Sequence, residues 1–447
     1  MTAEGWRGRA VRGTFVHAPE RGAVEVLAGA IIAIAADGAI KTVARPGDAA
    51  HAGLAGLLDL VELPKGQLVI PGFVDLHVHA PQYPQLGQAL DVPLEVWLGQ
   101  YTFPLEAKYA DLDFARERYE VLVDDLLADG TTTALYFATV HRQATELLAK
   151  ICLSKGQRAL VGKVVMDDPV SCPDYYRDAS AAEAVAETRA FIANVRALPG
   201  NDRVLPVITP RFIPSCTDAA LAGLGQLAAE CDCHVQTHCS ESDWAHGYVI
   251  DRYSKTDTSA LDGFGLLGRK TVLAHSVFLT DDDMATVAAR GAGVAHCALS
   301  NMYFANAVFP LRRALERGLN VGLGTDISGG PSGSMFEACR ATAQASRLLE
   351  DGVDAADSRE TRGVPNSRID LLTAFHLATA GGGVALDLPI GLFRPGYQFD
   401  ATIIDPAAAA GTIRLFGAEP ADRIEKILYT ASRPNVAAVY VGGDCVV

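Results

Sequence analysis

Eight times between Leu68 and Ile327 a short β-rich run gives way to a helical pattern, and that alternation leaves few architectures open to the chain. The runs are LVIPGFVDLHVH, TTTALYFA, RALVGKVV, VLPVITPRF, HVQTHCSE, TVLAHSV, GVAHCAL and VGLGTDI. Between them lie Ala-rich amphipathic stretches such as SAAEAVAETRAFIANVRAL and TDAALAGLGQLAAE, the second opened by Thr217 or Asp218 as N-cap. Eight strand-then-helix units predict a (β/α)8 TIM barrel. Short alternating segments with Gly and Pro at the turns flank it on both sides. They predict an α/β chain whose barrel, residues 67–387, is inserted into a small β-sandwich domain built from both chain ends, 1–66 and 388–447. The stretch NSRIDLLTAFHLATAG, residues 366–381, is expected on the barrel, with His376 on a packed apolar face.

Composition narrows the function. A chain of 447 residues with 49% hydrophobic content has ample core for one large and one small domain. A formal net charge of -15 lacks the clustered Lys and Arg that a phosphate backbone requires, so no nucleic-acid partner is expected. The start, MTAEGWRGRAVRGTF, has no signal-peptide core, and the apolar run VLAGAIIAIAA falls far short of the ~20 residues of a membrane span, so no membrane partner is expected either. Nine cysteines without a disulfide framework suit a reducing, cytoplasmic setting. CDCH at 231–234 has no second Cys/His pair at zinc-finger spacing and reads as buried or incidental thiols.

In a barrel of this kind chemistry gathers at the C-terminal ends of the strands. Those ends carry His77 and His79 on the first strand, His238 with Glu241 just beyond it on the fifth, His275 on the sixth and Asp326 on the eighth. Nitrogen donors plus a carboxylate at one rim suit a divalent ion such as Zn²⁺. Taken singly, each has a plainer reading: alternation puts both imidazoles of an H-x-H on one face with or without a metal, and GTD could be a strand-to-helix turn. It is the convergence of four strands that favours a metal.

The motifs PGFVDLHVH, THCSE, AHS and GTDISGG, in this order, resemble the amidohydrolases across essentially the whole barrel. The resemblance implies His77, His79, His238 and Asp326 as metal ligands, Glu241 as acid/base, and His275 and Asp326 as its catalytic partners. Two-metal members carry a bridging lysine at the end of strand four. Here that strand ends in VITPRF, so one metal is expected, zinc with iron as an alternative, and Lys163 in strand three reads as structural.

Longer stretches, HVHAPQYPQLG, EVWLGQYTFPLEAKY, GTTTALYFATVH, GQRALVGKVVMD and ITPRFIPSC, resemble the guanine deaminase family in particular. That resemblance implies zinc-dependent deamination of a small purine in purine catabolism, a homodimer, and Gln82, Arg211 and Phe212 as substrate-binding residues. The chemistry of the side chains fits: Arg211 offers only donors, which suit the C6 carbonyl of guanine and would confront the amino group of adenine. After strand seven the chain reads HCALSN, with Ala298 and Leu299 where this family typically has Pro and Asn. A lost pocket amide would favour another amino-heterocycle, such as 8-oxoguanine, a pterin or an aminotriazine. A non-catalytic scaffold is the remaining alternative, and the intact His, Glu and Asp set argues against it.

Overall fold

The computed structural model describes residues 5–417 and 420–447; Met1–Glu4, at the edge of the N-terminal segment expected above, and residues 418–419 lie outside it. The chain opens with β1 (Ala10–Glu20), β2 (Ala23–Ile34), β3 (Ile40–Ala44), β4 (Val61–Glu62) and β5 (Leu68–Pro71). Next come β6 (Phe73–His79), β7 (Thr131–Phe137), β8 (Arg158–Val165), β9 (Val204–Pro210), β10 (His234–Cys239), β11 (Thr271–His275), β12 (Gly293–His296) and β13 (Asn320–Leu323), with helices between them. β14 (Ala401–Ile404), β15 (Val436–Val441) and β16 (Asp444–Cys445) end it.

β6 to β13 pair in sequence order, all parallel. The ring closes between β6 and the segment after β13: Asp326 N donates to His77 O at 2.8 Å, and His79 N to Ile327 O at 2.8 Å. Every residue of β6 and β7 is buried, because helices cover the outside of a parallel barrel and side chains fill its inside. Several of the helices start at side-chain caps. Thr217, one of the two expected, accepts from Ala220 N at 3.2 Å, and Ser180 caps Ala181–Arg196 through Glu183 N at 3.2 Å.

The small β unit expected from the chain ends is one eight-stranded sheet in the order β16-β15-β14-β5-β1-β2-β3, with β4 beside β1. β5 lies antiparallel to β14 and parallel to β1, so the two termini are interleaved. Trp6 stacks on Tyr440 at 3.8 Å, and Phe15 meets Phe393 edge-on at 5.4 Å, in an apolar cluster of its own. Arg158 of β8 binds both carboxylate oxygens of Asp400, at 2.8 and 3.1 Å, joining barrel to sheet.

Two local expectations are corrected. LVIPGFVDLHVH, read as one strand, is two: the chain leaves the outer sheet at Pro71 and enters the barrel at Phe73. Gly72 makes that step possible, since a Cβ there would lie 2.1 Å from Thr132 Oγ1. The seventh barrel strand stops at His296, and Ala298–Phe304 is a helix. The stretch 366–381 packs on the barrel as expected, Leu377–Gly381 lying against β13 and β6; Leu371–His376 before it also meets β1 of the outer sheet, where His376 Nδ1 donates to Ala18 O at 2.8 Å. Among the described residues no helix is long and apolar enough to cross a membrane.

Candidate active site

The barrel rim brings together six of the side chains singled out above. His77 and His79 end β6, His238 lies near the end of β10, His275 ends β11, and Asp326 follows β13 at the seam of the ring. Glu241 sits in the turn between β10 and the helix Asp243–Tyr253, which Ser242 caps by accepting from Ala245 N. Asp326 Oδ1 is 3.2 Å from His77 Nε2 and 3.5 Å from His79 Nε2. His79 Nε2 is 3.0 Å from His238 Nε2. His275 Nε2 lies 3.6 Å from Glu241 Oε1 and 3.8 Å from Asp326 Oδ2.

Holding these side chains requires unusual backbone. Ser240, His275, Ser276 and Asp326 have φ of 48, 66, 58 and 51°, the left-handed region that non-glycine residues avoid. Such positions cost on the order of 1–3 kcal/mol each and cluster at functional sites. Each turn is braced: Ser240 N donates to Asp257 Oδ1 at 3.0 Å, Ser276 N to Cys239 O at 2.8 Å, and Asp326 N to His77 O.

The electrostatics of the cluster fit a cation. Burial lowers the pKa of His77, His79 and His238 well below the ordinary value and that of His275 in the same direction, so all four are neutral imidazoles. Burial also raises Asp326. Burial together with the Asp326 charge pushes Glu241 up to about 8. Beneath them, burial raises Asp75 to about 7 although Thr325 and the His77 amide bond to it. His77 Nε2, His79 Nδ1 and His275 Nε2 are buried without a hydrogen-bond partner. Three overlapping triads, His77/His79/His238, His77/His275/Asp326 and His238/Glu241/His275, each hold their donor atoms within 4.8 Å of one another, so they could hold a metal ion. Buried ring nitrogens without hydrogen-bond partners, within a cluster of imidazoles and carboxylates drawn from four strand ends, are what a divalent cation satisfies.

Gln82, Arg211 and Phe212 line the same cavity as His79, His238, Glu241 and Asp326. Leu94, Trp97 and Phe304 make apolar wall. At Gly329 the wall is bare main chain, where a Cβ would lie 3.0 Å from Asp326 Oδ2. A cleft that sets apolar walls opposite convergent polar and ionisable groups has the character of a small-molecule site.

Residues outside the sequence-derived set complete the geometry. Glu106 accepts from Arg211, Gln82 and Tyr176; its only sequence signal is an acid set in the apolar stretch YTFPLEAKY. Asn301, the last residue of HCALSN, has Oδ1 2.9 Å from His275 Nδ1. That nitrogen therefore donates, and the neutral ring of His275 offers Nε2 to the site as an acceptor. Ala298 and Leu299, the departure noted in the sequence, pack into the apolar core and do not line the cavity. Lys163 pairs with Asp178 at 2.6 Å, away from the histidine cluster, and His296 packs on Phe309 at 5.3 Å.

Residues 68–446 match the amidohydrolase family. The chain is 34% identical to the guanine deaminase of Dictyostelium discoideum, over 97% of each chain. It is 37% identical to that of Homo sapiens, over 98% of this chain and 96% of the other. The crystal structure of guanine deaminase from C. acetobutylicum with bound guanine in the active site superposes with a TM-score of 0.87 at 29% identity, covering 98% of this chain and 99% of that one.

Proposed function

The chain belongs to the amidohydrolase family, and on that premise we propose that it is a zinc-dependent guanine deaminase, a hydrolase of a C–N bond that converts guanine and water to xanthine and ammonia. The observation that carries the reading is the single cavity lined both by the His79, His238, Glu241 and Asp326 cluster and by Gln82, Arg211 and Phe212.

Arg211 donates to the C6 carbonyl, Gln82 bonds along the purine edge, and Phe212 covers a ring face. His77, His79, His238 and Asp326 hold the ion, and three nitrogens with one oxygen suit zinc, while iron accepts the same set. A divalent ion there supplies Lewis acidity that lowers the pKa of water from about 15.7 toward about 7. Asp326 takes the water's proton as oxygen bonds to C2. Glu241, 3.6 Å from His275 at the rim of the same cavity, gives its proton to the adjacent ring nitrogen. It then takes the remaining proton of the new C2 hydroxyl and carries it to the amine, the C2–N bond breaks, ammonia leaves, and the proton held by Asp326 returns Glu241 to its acid form. His275, fixed by Asn301, accepts a hydrogen bond from the attacking water through Nε2 and orients it.

Nine unpaired cysteines support a reducing cytoplasm, and the likeness to guanine deaminases supports a place in purine catabolism and a homodimer with one ion per subunit. A substrate panel of guanine, 8-oxoguanine, a pterin and an aminotriazine tests the assignment. The highest kcat/KM falls on guanine if it is right, and on another ring if it is wrong.

A further inference from the structure

Glu106 is 0% exposed, and every polar group bonded to it is a donor. Arg211 Nη1 lies 2.7 Å from Oε2 and Nη2 3.2 Å from Oε1. The Tyr176 hydroxyl donates to Oε2 at 2.6 Å, and Gln82 Nε2 to Oε1 at 2.8 Å. A carboxylate has about four lone-pair directions, so these donors use its whole capacity. It has nothing left for a ligand, and it does not line the cavity.

Two of its three partners do line the cavity, and they are the two polar residues assigned to the purine edge. A salt bridge serving only the fold would need no bond from Gln82. An acceptor-only neighbour forces the Gln82 amide to turn its nitrogen inward, and Ser328 N meets the amide oxygen at 3.3 Å from the other side. One N–H and one oxygen lone pair then remain, in fixed directions. The Arg211 fork is held in plane by the bidentate contact and by the Phe103 ring, 5.0 Å from the guanidinium carbon. The carboxylate also cancels the guanidinium's charge, so the pocket presents directed N–H groups without a free cation.

Resting on the deaminase reading, we propose that Glu106 is the positioning and specificity-determining residue of the purine pocket. It aims Arg211 and Gln82 at a neutral ring carbonyl, and by neutralising Arg211 it disfavours anionic oxopurines. Such an anion would be drawn to an uncompensated guanidinium, and the pocket avoids that trap.

The test compares Glu106→Asp, which keeps the charge and shortens the reach, with Glu106→Gln, which keeps the shape and removes the charge. Metal content and thermal unfolding are measured alongside guanine kinetics. Calorimetry gives binding of hypoxanthine, which has the neutral C6 carbonyl, of purine, which lacks it, and of urate, an anion at neutral pH. In both variants KM for guanine rises about 10-fold or more with kcat and metal content little changed, and the preference for hypoxanthine over purine falls by a similar factor. Only Glu106→Gln gains affinity for urate, about 10-fold, and added salt erodes the gain. The proposal is overturned if ligand preference and KM stay at wild-type values in both variants, if the loss falls on kcat alone, or if neither variant folds. A wild-type protein that prefers hypoxanthine to purine yet does not deaminate guanine would reject the deaminase reading, while the binding arms still decide the role of Glu106.

Discussion

His238 Nδ1 donates to the carbonyl oxygen of Arg211 across 2.6 Å. Arg211 thus lines the cavity with its side chain and, through its main chain, fixes which nitrogen of His238 faces the histidine cluster. The backbone N–H of His238 reaches the same carbonyl at 3.2 Å, so the ends of neighbouring strands β9 and β10 are locked in register beside the histidine cluster. Fixing the tautomer through a backbone carbonyl is a common way to prepare an imidazole for a metal.

Because that carbonyl survives any side-chain change, Arg211→Lys separates the two roles. A lysine cannot reproduce the planar fork that binds Glu106 and a ring carbonyl. Metal content stays at one equivalent by mass spectrometry, and kcat/KM for guanine falls about 10- to 100-fold. Loss of the metal in this variant would show that the side chain, not the main chain, supports His238.

Glu241→Gln keeps the shape of the acid/base residue and removes its proton. Metal content is unchanged and kcat drops by about 10²–10⁴. Near-normal kcat in the metal-loaded variant would assign proton transfer to another group.

Removing the ion tests the cluster as a unit. Prolonged chelation abolishes turnover of the wild-type protein and added Zn²⁺ restores it. His77→Ala stays inactive under the same reconstitution, because one donor of the set is gone. Full activity of the chelated, metal-free protein would remove the ion from the mechanism.

His246 provides a pH-dependent brace for the turn that carries Glu241. Its Nδ1 lies 2.6 Å from Asp257 Oδ2, while Asp257 Oδ1 holds Ser240 N. The bond to Asp257 raises the His246 pKa above 6.5, with partial burial acting against it. A raised folded-state value means that the contribution to stability is fully present below the unfolded value, about 6.5, and is lost as pH climbs through the folded one. The gap in Tm between wild type and His246→Gln is therefore widest near pH 6 and narrows toward pH 9. A gap that is constant over that interval would contradict the ionic bond.

Much of the site was legible because a parallel barrel orders its rim by strand order. His77, His79, His238, His275 and Asp326 each lie at or just past a strand end, so finding the strands nearly finds the cluster. What stayed hidden depends on contacts between distant segments. Glu106 meets Arg211 across 105 residues of chain, and nothing in YTFPLEAKY marks the acid as a partner of Arg211. The acceptor state of His275 was likewise out of reach, because it follows from the placement of the Asn301 amide at the start of a helix that the sequence pattern extended as strand. The break at Gly72 was missed for a local reason: Leu68 to His79 is one apolar run, and only the neighbouring Thr132 shows where it must change sheets. Ala298 and Leu299 drew attention as a change in a pocket loop, but their helix turns them into the core.

The most direct test of the account is the stoichiometry of guanine turnover by protein loaded with one equivalent of Zn²⁺, followed as loss of guanine absorbance together with released ammonia. The account predicts one xanthine and one ammonia for each guanine consumed, with no turnover after the ion is stripped. Guanine left intact by the fully loaded protein, with ammonia released from a different amino-heterocycle, would contradict it.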